Sequence, residues 1–300
     1  MQLLQSLKAK LTGSLIKKKN PKPLVSVIIP TYNWSSVLRY AIESVLWQTF
    51  QNFELLVIGD GCTDNTAEVV AAFQDRRIRW YNLTQNSGTQ STPNNTGLEM
   101  AQGDYIAYLG HDDVWYPTHL ATLTNAMAKT GADVAYTVME MIGPPGSNRR
   151  EMTGFSISGH YERGQVIPPS SVMHKRGMER DIGYWKDFRT LNMPPDLEFL
   201  ARAYDHSKKF IAVYELTVFK FNSAWRPNSY IEKPCDQQAE YVQRIKSESD
   251  FLYRELLEFV KITTLPLPRQ YPEIPEPPNP MPPGWQTTQS RRIRGLSLLT

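Results

Sequence analysis

The sequence predicts an α/β fold built on a mostly parallel sheet with helices on both faces. Residues 24–29 (LVSVII) are apolar apart from Ser26, which is typical of a strand buried on both sides. Strand-like and helix-like segments then alternate at short intervals as far as residue 130. Polar clusters follow three of the strand-like segments, at residues 31–33, 60–64 and 111–113. Because ligands bind at the carboxyl ends of parallel strands, these clusters are the first candidates for a site.

Each strand of this regular half is expected to lead into a helix. Ser35 or Ser36 can cap the first helix, and Asp64 is interpreted as a cap of the second rather than as a ligand contact. Pro117 suits the first turn of the fourth helix, and Gly131 is expected to stop that helix. The predicted strands are residues 24–29, 53–58, 78–81 and 105–109.

Beyond residue 140 the alternation weakens, and a less regular half is expected. It contains predicted strands at 171–174 and 210–221 and a helix after Pro195. Proline dominates residues 265–283, so the backbone there lacks many donors and is expected to run extended as a linker or strap. The predicted units are a basic amphipathic segment (1–22), a main domain with two halves (23–140 and 141–235), a C-terminal helix (236–263) and a proline-rich tail (264–300).

Composition indicates a globular protein with basic ends. The 300 residues, 41% of them apolar, can form one large or two modest domains. The net charge is +3, but lysines crowd the first 22 residues and Arg291, Arg292 and Arg294 the end. Solvated tails are the favoured interpretation, and a nucleic-acid partner is not expected. The leucine and lysine spacing of residues 1–16 fits an interfacial or a packing helix, so peripheral membrane contact by residues 1–22 is a hypothesis.

The cysteines and the hydropathy point to a cytoplasmic protein. Cys62 and Cys235 lie far apart without a CxxC partner, so neither a disulfide framework nor a thiolate zinc site is expected. No apolar run reaches the ~18 residues of a membrane span, and no signal-peptide pattern is present. We therefore expect a cytoplasmic location, with the hypothesis of contact with the inner face of the membrane.

Two common phosphate-binding motifs are absent, so another phosphate partner is needed. The sequence has neither GxxxxGK[ST] nor a GxGxxG after its first strand. Asp112 and Asp113 follow a predicted strand, and adjacent carboxylates can hold Mg²⁺ or Mn²⁺ against a diphosphate. A solvated turn is the alternative for such a pair. Asp60, between two glycines, can accept hydrogen bonds from a base or ribose edge, or can be a turn residue.

Together these segments resemble family 2 glycosyltransferases over residues 24–130. The matching segments are SVIIPTYN (26–33), GDGCTDNT (59–66), NSG (86–88), NNTG (94–97) and GDYIAYLGHDDVW (103–115). The resemblance implies a GT-A fold and inverting transfer from a UDP-, GDP- or dTDP-sugar with Mg²⁺ or Mn²⁺. It also implies a carbohydrate or lipid-linked acceptor in cell-surface polysaccharide or glycolipid synthesis.

The resemblance assigns roles to particular positions. Asp60 matches the carboxylate that contacts the base, and Asp112 is the best match to a metal ligand, with Asp113 or His111 as helpers. Asp196 matches the catalytic base of a Glu-Asp-x-x-x-x-x-Arg segment. The other residues expected in the nucleotide pocket are Pro30, Thr31, Tyr32, Asn33, Asn86, Gly88, Asn95 and His111.

Three expected acids are missing. Gly59 stands for the first Asp of an Asp-Asp-Gly-Ser motif, Gly110 for the first Asp of Asp-x-Asp-Asp, and Pro195 for the Glu before the base. Weaker metal binding is therefore expected. A helix start is expected to favour the ionised form of Asp196. Glu198 is its local rival, and N-capping is the alternative role of Asp196.

Two further residues are assigned to the acceptor side of the site, and two other functions are open to this chain. His174 is a candidate for the border of the acceptor pocket and Trp185 for a sugar-stacking face, although structural roles are more common for both. The losses at the three acid positions favour a non-catalytic nucleotide-sugar-binding protein as the alternative function. A sugar-phosphate nucleotidyltransferase is less favoured, because it predicts a glycine-rich loop after the first strand.

Overall fold

The computed structural model describes residues 22–156, 158–265 and 275–296. The predicted amphipathic segment, apart from Lys22, lies outside these residues. The described part contains nine strands in one sheet. They are β1 (Val25–Thr31), β2 (Phe53–Gly59), β3 (Ile78–Asn82), β4 (Tyr105–Tyr108), β5 (Asp113–Trp115), β6 (Val134–Ile142), β7 (Arg150–Thr153), β8 (Val172–Lys175) and β9 (Phe210–Phe221).

The sheet has a parallel half and a mixed half. Its order is β3-β2-β1-β4-β8-β6-β9-β5, with β7 paired to β6. The first four strands in this order are mutually parallel. Strand β8 is antiparallel to both β4 and β6, and β9 is parallel to β6. The predicted α/β class is confirmed, and the irregular second half of the chain extends the sheet rather than forming a separate one.

Helices cover both faces of the sheet, as the alternation of segments predicts. Gly131 ends the fourth helix at φ +66°, a left-handed conformation that suits glycine, so the predicted stop is confirmed. The helices are α1 (Ser35–Leu46), α2 (Thr66–Ala71), α3 (Ser91–Met100), α4 (His119–Thr130), α5 (Met178–Ile182), α6 (Pro195–Asp205), α7 (Ser229–Glu232), α8 (Asp236–Ser247), α9 (Phe251–Thr263) and α10 (Trp285–Ile293).

Strand β1 contributes to the core on both sides. Val27 and Ile29 pack with apolar residues of α1 and α4 on one face. Ile28 points to the opposite face and packs with residues of α3 and α6. This two-sided burial explains why residues 25–29 are apolar apart from Ser26, whose buried hydroxyl donates a hydrogen bond to Glu54. It also leaves the carboxyl end of β1 as the place where polar residues become available to a ligand.

The C-terminal part differs from the sequence pattern in two ways. Residues 236–262 are predicted as one helix, but α8 and α9 are separated at residues 248–250. The pattern predicts no helix in the tail 264–300, yet residues 285–293 form α10. This helix packs against the main domain, and the tail thereby contributes side chains to the site described below.

No helix in the described part of the chain is long and apolar enough to span a membrane. Cys62 and Cys235 are both free thiols.

Candidate active site

A cavity of ≈ 260 Å³ lies at the carboxyl ends of β1, β2 and β4. Its size is slightly below the usual range for small-molecule sites, which is about 300–1,000 Å³. Residues from both halves of the chain line it, so the irregular half closes a site that the parallel half opens. Nine of the predicted site residues are among them: Pro30, Thr31, Tyr32, Asp60, Asn86, Gly88, His111, Asp112 and Asp196.

Asn33 and Asn95 do not line this cavity, although the motifs place them in the pocket. The Asn33 side chain accepts hydrogen bonds from the backbone amides of Thr63 and Asp64, at 2.7 and 3.2 Å. The Asn95 side chain donates to the carbonyl oxygen of Trp185 at 2.9 Å and accepts from its amide at 3.0 Å. Both asparagines therefore hold loops beside the site instead of facing a ligand.

Asp60 organises the loop at residues 86–88. Its carboxylate accepts hydrogen bonds from the Ser87 amide (2.9 Å), the Ser87 hydroxyl (2.7 Å), the Gly88 amide (3.2 Å) and the Asn86 side chain (3.1 Å). Burial raises the pKa of Asp60, and the bonds from Ser87 and Gly88 oppose that shift. Asp60 thus lines the cavity as the centre of a hydrogen-bonded loop.

His111 is held at both ring nitrogens. Nδ1 lies 2.9 Å from the Thr31 hydroxyl, and Nε2 lies 3.1 Å from the Tyr230 hydroxyl. Burial lowers the pKa of His111, so the ring is neutral near pH 7. Because neither nitrogen is free, His111 is not placed to assist as a metal ligand. It connects the end of β1 to the segment around α7.

Asp112 and Asp113 have different surroundings. Asp112 lines the cavity, and no side chain in the described ranges donates a hydrogen bond to its carboxylate. Burial alone would raise the pKa of Asp112, but Lys220 and His111 lower it below its ordinary value. Asp113 lies outside the cavity lining and accepts hydrogen bonds from Ser170 at 2.5 Å and from Lys220 at 3.1 Å. Asp113 is therefore not placed as a metal ligand.

Two of the missing acids could not be accommodated by this chain without rearrangement. A Cβ atom at Gly110 would lie 2.7 Å from the Asp113 carboxylate, which Lys220 and Ser170 already hold. A Cβ atom at Gly59 would lie 2.4 Å from the Asn82 side-chain oxygen and 2.5 Å from the Trp80 ring. Glycine at these positions is thus matched to the side chains around it.

The side chains of the cavity can hold a divalent cation only together with a ligand that supplies further oxygen atoms. Within the described residues, no group of three or more His, Cys, Asp or Glu is arranged to hold a metal ion. Mg²⁺, however, is commonly bound through one or two carboxylates together with substrate phosphates and water. Asp112, ionised and without a side-chain donor, fits that arrangement. The residues present therefore fit a metal that a phosphate ligand helps to hold.

Asp196 lies in the first turn of α6 and lines the same cavity as Asp112. Burial raises its pKa, with backbone hydrogen bonds and Lys220 opposing the shift. The direction is opposite to the one expected from the helix start, because loss of hydration outweighs the helix end here. The N-cap position belongs to Pro194, not Asp196. Glu198 points elsewhere and pairs with Arg202 at 2.7 Å.

His174 and Trp185 are structural in this arrangement. Both are buried and neither lines the main cavity. The Trp185 ring stacks on Phe199 with 4.7 Å between ring centroids, and its indole N–H donates to the Tyr108 hydroxyl at 3.0 Å. The same hydroxyl lies 2.9 Å from His174 Nε2. Trp185 also lines a small second pocket together with Asp196, and the acceptor-side roles of the two residues stay predictions.

Among the other residues that line the cavity are Lys220, Tyr230, Arg291 and Arg294, which the sequence predictions do not name as site residues. A lysine inside the apolar strand β9 is a signal that could have identified Lys220. The arginines belong to the basic C-terminal end, which was expected to be solvated. That expectation holds for Arg292, which is exposed, but is wrong for Arg291, which is buried.

The comparisons with known proteins agree with this geometry. Residues 26–180, half of the chain, match glycosyl transferase family 2, and the chain belongs to that family. Glycosyltransferase GlyG of Streptococcus pneumoniae is 36% identical over 165 residues, which cover 54% of this chain and 52% of GlyG. The Escherichia coli protein WfgD, a UDP-Glc:alpha-D-GlcNAc-diphosphoundecaprenol beta-1,3-glucosyltransferase, is 38% identical over 119 residues, covering 40% of this chain and 47% of WfgD. The chain spans about half the length, or less, of the curated relatives it matches.

A solved structure shares the fold. S. aureus TarS in complex with UDP-GlcNAc aligns with a TM-score of 0.55 at 20% identity, over 79% of this chain and 72% of that chain. The predicted GT-A type of fold is thus confirmed.

Proposed function

We propose that this chain is an inverting glycosyltransferase that moves a sugar from a nucleoside-diphosphate sugar to an acceptor hydroxyl. The observation that carries the proposal is that Asp112 and Asp196, at the family's metal and base positions, line one cavity although they are far apart in sequence. The cavity also lies at the strand ends where an α/β sheet binds nucleotides.

The donor binds with its nucleotide over β1, β2 and β4 and its diphosphate beside Asp112. WfgD is named for UDP-Glc, and TarS has a structure with UDP-GlcNAc, which supports a nucleotide-sugar donor here. Asp112 would hold Mg²⁺ or Mn²⁺ together with the diphosphate oxygens. When bound, such an ion neutralises the negative charge that develops on the leaving diphosphate.

Asp196 acts as the general base. Its carboxylate takes the proton of the acceptor hydroxyl while that oxygen forms a bond to the anomeric carbon. The bond from the anomeric carbon to the diphosphate oxygen breaks, and the diphosphate leaves with the electron pair. Attack from the face opposite the leaving group inverts the configuration. A raised pKa suits this role, because a stronger base accepts the proton more readily.

The acceptor is proposed to be a carbohydrate or a lipid-linked sugar of a cell-surface polysaccharide or glycolipid, since WfgD acts on a diphosphoundecaprenol-linked sugar. A cytoplasmic enzyme that reaches such a lipid would contact the membrane peripherally, and residues 1–22 are the proposed contact. Sedimentation with anionic liposomes tests this part. Equal binding to the liposomes before and after deletion of residues 1–22 would exclude these residues as the membrane contact.

A donor screen followed by one substitution tests the central proposal. UDP-, GDP- and dTDP-sugars are screened with Mn²⁺ for thermal stabilisation, and the best donor is assayed for release of its nucleoside diphosphate. Asp196→Asn should lower kcat by about 10²- to 10⁴-fold and leave donor affinity unchanged. Asp205→Asn, in the same helix but exposed, is the matched control and should keep full activity.

The outcomes separate the proposed function from its alternative. Stabilisation by a donor without turnover on any tested sugar or lipid-linked acceptor would favour a non-catalytic nucleotide-sugar-binding protein. Full turnover by Asp196→Asn would exclude Asp196 as the base.

A further inference from the structure

Helix α10 forms one side of the cavity and follows the proline-rich segment 265–283, which is expected to run extended. Thr287, Arg291 and Arg294 of this region line the cavity together with Leu296. These residues are distant in sequence from the motifs at residues 26–115. The cavity therefore has a wall that does not come from the motif-bearing half of the chain.

The tail is attached to the main domain at both ends of α10. Before the helix, the Gly284 amide donates to the carbonyl oxygen of Leu191 at 2.6 Å. At its other end, the amides of Asn228 and Tyr230 donate to the carbonyl oxygens of Ile293 and Arg294, at 2.8 and 3.0 Å. Backbone bonds on both sides fix the direction in which the helix presents its arginines.

The two arginines bring positive charge to the cavity wall. The Arg291 side chain donates to the carbonyl oxygen of Gly88 at 2.5 Å, which places it against the loop that Asp60 organises. Burial lowers the pKa of Arg291, and the charge of Arg294 lowers it further. Two like charges in a partly buried site repel each other, and an anion bound between or beside them would relieve that repulsion.

Arg294 makes only neutral contacts with the described part of the chain. Its guanidinium carbon lies 5.6 Å from the centre of the Tyr230 ring, and its Nε donates to the Ser290 carbonyl oxygen at 3.1 Å. It forms no ion pair with a carboxylate of the described residues. A planar guanidinium with unused donors at a cavity wall is suited to bidentate binding of a phosphate group.

Lys220 adds a third positive charge on the side of Asp112. Asp113 and Asp112 raise the pKa of Lys220, although burial alone would lower it, so this ammonium is charged. The cavity wall thus carries Lys220, Arg291 and Arg294, and Gly110 stands where the family motif would have a further metal-binding acid. Gly110 removes one negative charge from this site, and the three cations make it more positive still.

We infer that Arg291 and Arg294, together with Lys220, form the diphosphate-binding part of the donor site, and that α10 is therefore a component of that site. The inference rests on the proposed function, because the ligand is the diphosphate of the donor. Charge neutralisation is then shared between a metal at Asp112 and three side chains. Nucleoside diphosphate binding should accordingly persist, at reduced affinity, when divalent cations are removed.

Calorimetric titration tests the inference without any assay of activity. UDP, GDP and dTDP are titrated into the full chain in EDTA, and the tightest of them is used for the variants. Arg294→Ala should weaken binding of that nucleotide about tenfold to hundredfold, the range for hydrogen bonds to charged groups. Arg292→Ala removes the same charge from an exposed position two residues before Arg294 and should leave the affinity unchanged.

The parent nucleoside, which has no phosphate, distinguishes a diphosphate contact from a general change in the pocket. Arg294→Ala should bind the nucleoside as the wild-type chain does, and Arg294→Lys should recover part of the diphosphate affinity. Unchanged affinity of Arg294→Ala for the diphosphate, or an equal loss for nucleoside and diphosphate, would overturn the inference and leave the proposed function standing. If the wild-type chain binds none of the three nucleoside diphosphates, with or without Mn²⁺, the proposed function fails as well.

Discussion

Lys220 donates a hydrogen bond to Asp113, with 3.1 Å between Nζ and Oδ2, and the Asp113 side chain is completely buried. This ion pair joins β9 to β5 beside the cavity, which Lys220 lines. It explains why two adjacent aspartates have unlike roles. Asp113 stabilises the meeting of two strands, and Asp112 remains available to a ligand.

Loss of the lysine should therefore destabilise the fold. Lys220→Met leaves the Asp113 carboxylate buried without its cation, which costs about 3–5 kcal/mol for a buried pair. Urea denaturation measures the change in the free energy of unfolding. Lys175→Met, which breaks a partly exposed pair with Asp133, is the control and should cost less than about 1 kcal/mol. A similar decrease in the free energy of unfolding in the two variants would show that the buried ion pair stabilises the fold no more than the exposed one.

Asp112 should determine how binding depends on the metal. Asp112→Asn removes the carboxylate that would hold Mg²⁺ or Mn²⁺, so Mn²⁺ should no longer increase the affinity for a nucleoside diphosphate. In EDTA the variant should bind the nucleotide at least as well as the wild-type chain, since a negative charge near the diphosphate is gone. Titrations with and without Mn²⁺ measure both effects, and Asp104→Asn at the exposed end of β4 is the control. An unchanged Mn²⁺ effect would place the metal elsewhere.

The strands and helices of residues 24–130 are predictable because their signals are local. The buried residues 25–29 are apolar apart from Ser26, and Gly131 stops α4 through its own backbone preference. The positions of Asp60, Asp112 and Asp196 in one cavity follow from motif order and from strand ends.

The remaining features depend on contacts between distant segments. Lys220 becomes a site residue only because β9 pairs with both β5 and β6, and Arg294 only because the tail bonds to residues 228–230. The direction of the Asp196 pKa shift likewise depends on enclosure by the folded chain. None of these contacts leaves a periodic pattern in the sequence.

A buried carboxylate away from the site should make stability depend on pH. Burial raises the pKa of Glu140 from 4.5 to about 7, although Arg150, whose guanidinium lies 2.6 Å away, opposes the shift. Glu255 and Arg244 belong to the same cluster. Between pH 4.5 and about pH 7, Glu140 keeps a proton in the folded protein that it has lost in the unfolded chain. The free energy of unfolding therefore falls as the pH rises. The full shift corresponds to about 3 kcal/mol.

Glu140→Gln tests that dependence because it removes the titration and keeps the shape of the side chain. Urea denaturation at about pH 5 and about pH 8 gives the slope for each protein. The wild-type chain should lose more stability over this interval than the variant. Parallel slopes would assign the pH dependence to other groups.

The pKa of Asp196 should appear in the pH dependence of turnover. A general base works only when ionised, so kcat should be level at high pH and fall about tenfold per pH unit below the pKa of the base. Because burial raises the pKa of Asp196 above its ordinary value of 3.8, the fall should begin at a higher pH than for an exposed aspartate.

Lys220 opposes the shift in the pKa of Asp196, so in Lys220→Met the fall in kcat should begin at a still higher pH. Initial rates from about pH 4 to about pH 9, with melting temperatures at each pH to exclude unfolding, measure both curves. If kcat begins to fall at the same pH in both proteins, Lys220 does not affect the pKa of the base. A fall near pH 3.8 in the wild type would show that Asp196 is not enclosed during turnover.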